Sequence, residues 1–135
     1  MSDIVGSILV VDDDVAMREL LRDVLTDRGH RVALAADGKE ALKQLGEEDY
    51  AVVLTDLRMA GMPGNELLSE IKRDYPDTNV IVMTAFGSVE SAIEAMKLGA
   101  YDYLTKPVKT DEVTLTIEKA LREAALRREV NHLRR

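Results

Sequence analysis

Five short apolar runs alternate strictly with amphipathic segments along this chain, and no other feature restricts its fold as much. Ile8–Val11 (ILVV) is a continuous apolar run rich in β-branched residues, the composition of a strand buried on both faces. Met17, Leu20, Leu21, Val24 and Leu25 then recur at helical spacing, and Gly29 is placed to end that helix. Arg31–Ala35 reads as a weaker strand. Asp37 and Glu40 have capping-box spacing, with Asp in place of the usual Ser or Thr, and Ala41, Leu42 and Leu45 face a short helix. Ala51–Thr55 (AVVLT) is a third strand. Met59–Asn65 (MAGMPGN) holds two glycines and a proline and reads as a loop. Leu67, Leu68 and Ile71 mark a helix that ends before Pro76. Val80–Met83 (VIVM) is a fourth strand, and Val89, Ala92, Ile93 and Met96 mark a helix that stops at Gly99. Tyr101–Leu104 is a last short strand. A long helix follows Thr110, read as its N-cap, with Asp111 and Glu112 in the first turn.

Strands that alternate with helices imply a parallel sheet covered on both faces, because parallel neighbours need crossover connections. Right-handed crossovers restrict the topology further. The expected class is α/β: a flavodoxin-like (βα)5 doubly wound sheet of five parallel strands, order 2-1-3-4-5, with an extended C-terminal helix. The length of 135 residues suits one domain, and 46% hydrophobic residues with only 4% aromatics imply an aliphatic core. A formal charge of −7 argues against a nucleic-acid surface. The basic run at Arg127, Arg128, Arg134 and Arg135 lies among glutamates and reads as a solvated helix face. Cysteine is absent, which excludes disulfides and thiolate chemistry. No apolar run approaches membrane-spanning length and no signal peptide is visible, so a cytoplasmic location is expected.

In an open parallel sheet the ligand site lies beyond the carboxyl ends of the strands. Asp12, Asp13 and Asp14 follow the first strand, Asp56 the third, Thr84 the fourth, and Lys106 and Pro107 the fifth. Each has an ordinary reading alone; Asp14 in particular suits a helix start. Jointly they bring two or three carboxylates, a hydroxyl and an ammonium to one edge. Clustered carboxylates repel unless a cation neutralises them. All-oxygen ligands suit magnesium, which binds through one or two carboxylates plus phosphate oxygens. A carboxylate can attack phosphorus, while a lysine and a hydroxyl hold the remaining oxygens.

The motifs VVDDD, LTDLRMAGMPG, VMTAFGS and YDYLTKP resemble those of response-regulator receiver domains over roughly residues 6–122. The resemblance implies that Asp56 is the phosphoacceptor. It implies Mg2+ held directly by Asp13, through water by Asp12, and by Asp56 and the backbone carbonyl of Arg58. Lys106 would pair with the phosphoryl group, ahead of a cis bond to Pro107. Thr84 and Tyr103 match the family's switch pair: the hydroxyl moves toward the phosphoryl group and the ring turns inward. Alone, Tyr103 reads as an edge-strand aromatic packed on the last helix.

The stretch TAFGSVESAIEAMKLGAYDYLTKP is especially similar to receivers of NtrC-like, sigma-54-dependent transcription activators. Residues 1–122 are assigned to the receiver and 123–135 to a helical linker extension. Leu126, Val130 and Leu133 form an i, i+4, i+7 stripe on that extension, which points to a dimerising helix. The charged end without a stop signal leads one to expect ATPase and DNA-binding domains beyond this chain. Departures from the family concern tuning. The loop reads MAGMPGNELL, Asp14 adds a charge, and the bulky Arg58 and Phe86 flank the path of an attacking water, so slow self-dephosphorylation is expected.

The expected function is a signalling switch phosphorylated by a sensor histidine kinase, assisting its own phosphorylation without being a turnover enzyme. It is expected to dimerise through the C-terminal helix or the face of the fourth helix, fifth strand and fifth helix. Nucleic-acid or membrane binding by this domain is not expected. One alternative is a pseudo-receiver that serves only as an interaction module, although such a chain would typically lose the acidic pair or the lysine. Another is an aspartate-nucleophile phosphatase of the haloacid-dehalogenase type, which would need an acid where Arg58 stands. A flavodoxin would need a Ser/Thr/Gly-rich phosphate loop after the first strand.

Overall fold

The computed structural model describes residues 5–59, 61–85 and 88–133, with side chains described as far as Val130. The order of elements is β1 (Ser7–Val11), α1 (Val15–Asp27), β2 (Arg31–Ala35), α2 (Gly38–Glu47), β3 (Val52–Asp56), α3 (Gly64–Asp74), β4 (Asn79–Thr84), α4 (Val89–Lys97), β5 (Asp102–Thr105) and α5 (Thr110–Leu133). All strand pairs are parallel, in the order β2-β1-β3-β4-β5. The doubly wound flavodoxin-like topology expected from the sequence is the one found.

Pleating sorts the apolar runs between two cores. Leu9, Val11, Val53, Val80 and Val82 point to the face covered by α2 and α3, where Leu45, Leu67, Leu68 and Ile71 meet them. Ile8, Val10, Leu54, Ile81 and Met83 point the other way, onto Leu21 and Leu25 of α1 and Val113, Ile117 and Leu121 of α5. Both faces of β1, β3 and β4 are therefore buried, which is why these strands read as unbroken hydrophobic runs.

Local signals account for most helix ends. Asp14 is the N-cap of α1: its Oδ1 accepts from the Ala16 N–H at 3.0 Å. Asp37 caps α2 by accepting from the Glu40 N–H at 2.8 Å, while Glu40 reaches back to the Ala36 N–H at 3.2 Å, one residue beyond the usual reciprocal bond. Gly29 and Gly99 follow α1 and α4 with φ of 92° and 107°, the left-handed conformation that ends a helix without Cβ strain.

Three local readings need correction. Thr110 is the first helical residue of α5 rather than its N-cap, and the Lys109 carbonyl accepts the first bond, from the Val113 N–H at 3.0 Å. The loop after β3 ends at Pro63, so Gly64 and Asn65 already belong to α3. Arg127 is not a solvated charge. It donates to the Pro76 carbonyl at 3.0 Å and to Asn79 Oδ1 at 2.5 Å, and pairs with Glu123. Arg128 is exposed, and Arg134 and Arg135 lie outside the described residues.

Candidate functional site

Register builds the site. β1 and β3 pair with Val11 beside Thr55, so Asp12 and Asp56 stand side by side, one step further on. β4 and β5 pair with Thr84 beside Thr105, which brings Lys106 to the same edge. The Lys106 N–H donates to the Thr84 carbonyl at 2.7 Å, and the Lys106–Pro107 peptide is cis.

Asp12 has no exposed surface and is held at every polar atom. Its N–H donates to the Ala35 carbonyl at 3.1 Å. Its Oδ1 accepts from the Asp14 N–H at 2.9 Å, and its Oδ2 from Lys106 Nζ at 3.3 Å. Its carbonyl accepts from Arg18 Nη1 at 2.7 Å. Asp56, 8% exposed, accepts from the Arg58 N–H at Oδ1 (3.2 Å) and from Lys106 Nζ at Oδ2 (2.9 Å). Lys106 thus bridges two carboxylates.

The electrostatics follow from this packing. Burial pushes the Asp12 carboxyl above the usual carboxylate range, and the neighbouring Asp56 adds to the effect, against the Asp14 N–H and Lys106. For Lys106 burial opposes the charge, but bonds and charges from Asp56 and Asp12 outweigh it and hold the ammonium above its ordinary value. A buried carboxylate raised in this way gains from further positive charge. Oxygen atoms of Asp12, Asp13 and Asp56 lie within 4.8 Å of one another, so an all-oxygen donor set is assembled that fits a hard divalent cation.

Thr84 is buried at the end of β4, and Tyr103, on β5, is 44% exposed. A cleft of about 90 Å3 lies between them, lined also by Ser88, Val89 and Ala92. Arg58 is exposed, and its N–H donates to Asp56 Oδ1. Phe86 lies outside the described residues. Sequence reasoning missed two residues here. Arg18 was hidden as one polar residue of an amphipathic helix. Gly64 read as a turn glycine, yet a Cβ there would stand 2.5 Å from the Asp56 carbonyl oxygen.

Residues 8–118 match the family model of the response regulator receiver domain. The chain belongs to the response regulator receiver family. This receiver is 47% identical over 119 residues to transcriptional regulatory protein ZraR of Klebsiella oxytoca, covering 88% of this chain and 27% of that protein. It is 42% identical over 119 residues to transcriptional regulatory protein FixJ of Bradyrhizobium diazoefficiens, covering 88% of this chain and 58% of that one. The crystal structure of NtrX from Brucella abortus superposes with a TM-score of 0.91 at 38% identity, over 97% of this chain and 30% of that one. Its isolated receiver domain gives 0.82 at 38% identity, over 85% and 98%. The chain therefore spans about a quarter of the ZraR relatives' length. It is a receiver of two-component signalling, similar to the receivers of transcriptional regulators. Among the described residues no helix is long and apolar enough to cross a membrane.

Proposed function

We propose that this receiver takes a phosphoryl group onto Asp56 from a phosphohistidine of a sensor kinase and relays its arrival to an output surface. The observation that carries the reading is the Asp56 carboxylate, 2.9 Å from Lys106 Nζ and within 4.8 Å of the oxygens of Asp12 and Asp13. A carboxylate oxygen of Asp56 attacks phosphorus in line as the P–N bond breaks, and the leaving imidazole takes a proton from water. Lys106 holds charge that builds on the phosphoryl oxygens. Asp12, Asp13, Asp56 and the Arg58 carbonyl are the proposed Mg2+ ligands; the cation, when bound, neutralises charge on the phosphoryl group.

Thr84 and Tyr103 border one cleft, which supports the proposed switch: the hydroxyl follows the phosphoryl group and the ring fills the space behind it. Moving such a switch from 1:99 to 99:1 needs about 5.5 kcal/mol of differential stabilisation. The proposed output is the face of α4, β5 and α5, where Val89, Ile93, Tyr103 and Leu115 are exposed, together with Leu126 and Val130 on the helical extension. A homodimer through either surface is proposed. We assign residues 1–122 to the receiver and 123–135 to the extension, with Glu123 and Arg127 tying the extension's first turn to the body. Control of sigma-54-dependent transcription through further domains, a cytoplasmic location and the lack of turnover catalysis belong to the same proposal. The phosphatase alternative loses support because Arg58 occupies the position where the second acid is needed.

The test is intact mass after incubation with Mg2+ and acetyl phosphate. Wild type should gain one phosphoryl group, and Asp56→Asn or removal of Mg2+ should abolish the gain. No gain in folded wild type would favour the pseudo-receiver. The exposed Arg58 beside the acceptor supports slow hydrolysis. Arg58→Ala should shorten the phosphorylated lifetime measured by the decay of that mass shift; a wild-type lifetime of seconds, unchanged in the variant, would refute this.

A further inference from the structure

We infer that Arg18 is a positioning residue for the acidic pair, setting the plane of the peptide that joins Asp12 to Asp13 and hence the affinity of the site for Mg2+. The inference rests on the proposed phosphoacceptor site and concerns a residue outside it, which acts through the Asp12 backbone carbonyl. Arg18 lies in the first turn of α1, with its own N–H donating to the Asp14 carbonyl at 3.0 Å, so its backbone is anchored to the helix. From there its Nη1 turns back to the Asp12 carbonyl oxygen at 2.7 Å. A bond this short from a charged donor is among the stronger hydrogen bonds available to a backbone oxygen.

That oxygen is a sensitive point. Peptide planarity means that fixing it sets ψ of Asp12 and φ of Asp13 together. Asp12 is buried and its carboxylate is held from both sides, by the Asp14 N–H and Lys106 Nζ. Asp13 is exposed, so core packing does not set where its carboxylate points. The Arg18 bond transmits the rigidity of α1 to that next residue. Oxygens of Asp12, Asp13 and Asp56 then meet within 4.8 Å despite their mutual repulsion.

Two effects of Arg18 on a cation oppose each other. Its charge alone would repel Mg2+, so removing it would tighten binding. Its positioning role predicts the reverse, since partners that orient metal ligands typically change affinity by roughly 10–100-fold. The sign of the change therefore separates positioning from simple electrostatics.

The experiment is Mg2+ titration by calorimetry of wild type, Arg18→Met, which keeps an apolar stem, and Arg18→Lys, which keeps a charged donor. The Mg2+ dependence of phosphorylation by acetyl phosphate is followed alongside. Arg18→Met should weaken Mg2+ binding about tenfold. Its phosphorylation rate at saturating Mg2+ should stay within about threefold of wild type, and Arg18→Lys should recover part of the affinity. Equal or tighter Mg2+ binding by Arg18→Met overturns the inference, as does a wild type that binds no Mg2+. If Arg18→Met does not fold, an Arg18→Lys affinity equal to or tighter than wild type overturns it. Weakened binding in a protein that never accepts a phosphoryl group would uphold Arg18's role and refute Asp56 phosphorylation instead.

Discussion

Gly64→Ala should damage the site through one misplaced methyl group. A Cβ at this position would lie 2.5 Å from both the Asp56 carbonyl oxygen and the Leu57 Cα, and 3.1 Å from the Leu57 carbonyl carbon. The partners are backbone, so no flexible side chain can swing away. Gly64 is not among the positive-φ glycines, so the penalty is contact rather than conformation. The Gly64 N–H donates to the Leu57 carbonyl at 3.1 Å, and the Leu67 N–H to the Pro63 carbonyl at 3.1 Å, which ties the first turn of α3 in place. Relief needs a displacement of about 1 Å, shared between α3 and the Asp56–Leu57 peptide, at a cost of about 1–3 kcal/mol. For a domain of this size that is roughly 3–12 °C in Tm. A displacement of about 1 Å at a reacting group can slow chemistry by as much as 10²-fold. The assay is a thermal melt with a mass-based time course of phosphorylation by acetyl phosphate. Gly61→Ala is the control: φ is +82° with nothing within 4 Å of the new Cβ, so strain of about 1 kcal/mol should appear without slower phosphorylation. Gly64→Ala phosphorylated within about twofold of the wild-type rate would refute the reasoning.

Lys106→Met leaves Asp12 and Asp56 without their shared cation and should slow phosphorylation by about 10²-fold or more, measured at saturating Mg2+. Arg127→Ala strips a donor from Asn79, which is 3% exposed, and should cost about 1–3 kcal/mol in urea unfolding; Arg128→Ala, at an exposed neighbour, should cost almost nothing. His30 is held below its ordinary range chiefly by burial, with Arg28 adding to the effect and Glu118 opposing it. Its neutral form accepts from the Gly6 N–H, so its stabilisation is present above about pH 6.5 and is lost as pH falls through the lower folded value. Urea midpoints at pH 7.5 and 5.5 should therefore fall further apart in wild type than in His30→Gln, and equal shifts would refute this.

What could be read from sequence had local or periodic causes. Ile8–Val11 and Val80–Met83 announce strands because both faces are buried, and Asp37 announces a helix start because its cap bond reaches only three residues along the chain. Strand-end residues were legible as a group because parallel register brings them to one edge whatever the helices do. Pairings across the fold were not. Arg127 sits in a charge pattern that reads as solvated, and its partner Asn79 is 48 residues away. Arg18 acts on a backbone oxygen, which leaves no complementary residue to notice. Thr110 suits an N-cap by type, but the chain turns helical one residue sooner and uses the Lys109 carbonyl.

The opposite ends of β4 explain how α5 is attached. At one end the Thr84 carbonyl takes the Lys106 N–H, just before the turn into α5. At the other end Asn79 Nδ2 donates to the Ala120 carbonyl at 2.9 Å and to Glu123 Oε1 at 2.8 Å, and Asn79 Oδ1 receives Arg127. Between them Val113, Ile117 and Leu121 pack on the sheet. A helix tied at two points and packed between them resists fraying over that length. It can still shift as a body, the kind of movement that discrete packed interfaces allow. Leu126 and Val130, exposed at and just beyond the second tie, inherit their direction from it. The polar bonds at Asn79, far from the carboxylates, therefore determine where any surface on the extension is presented.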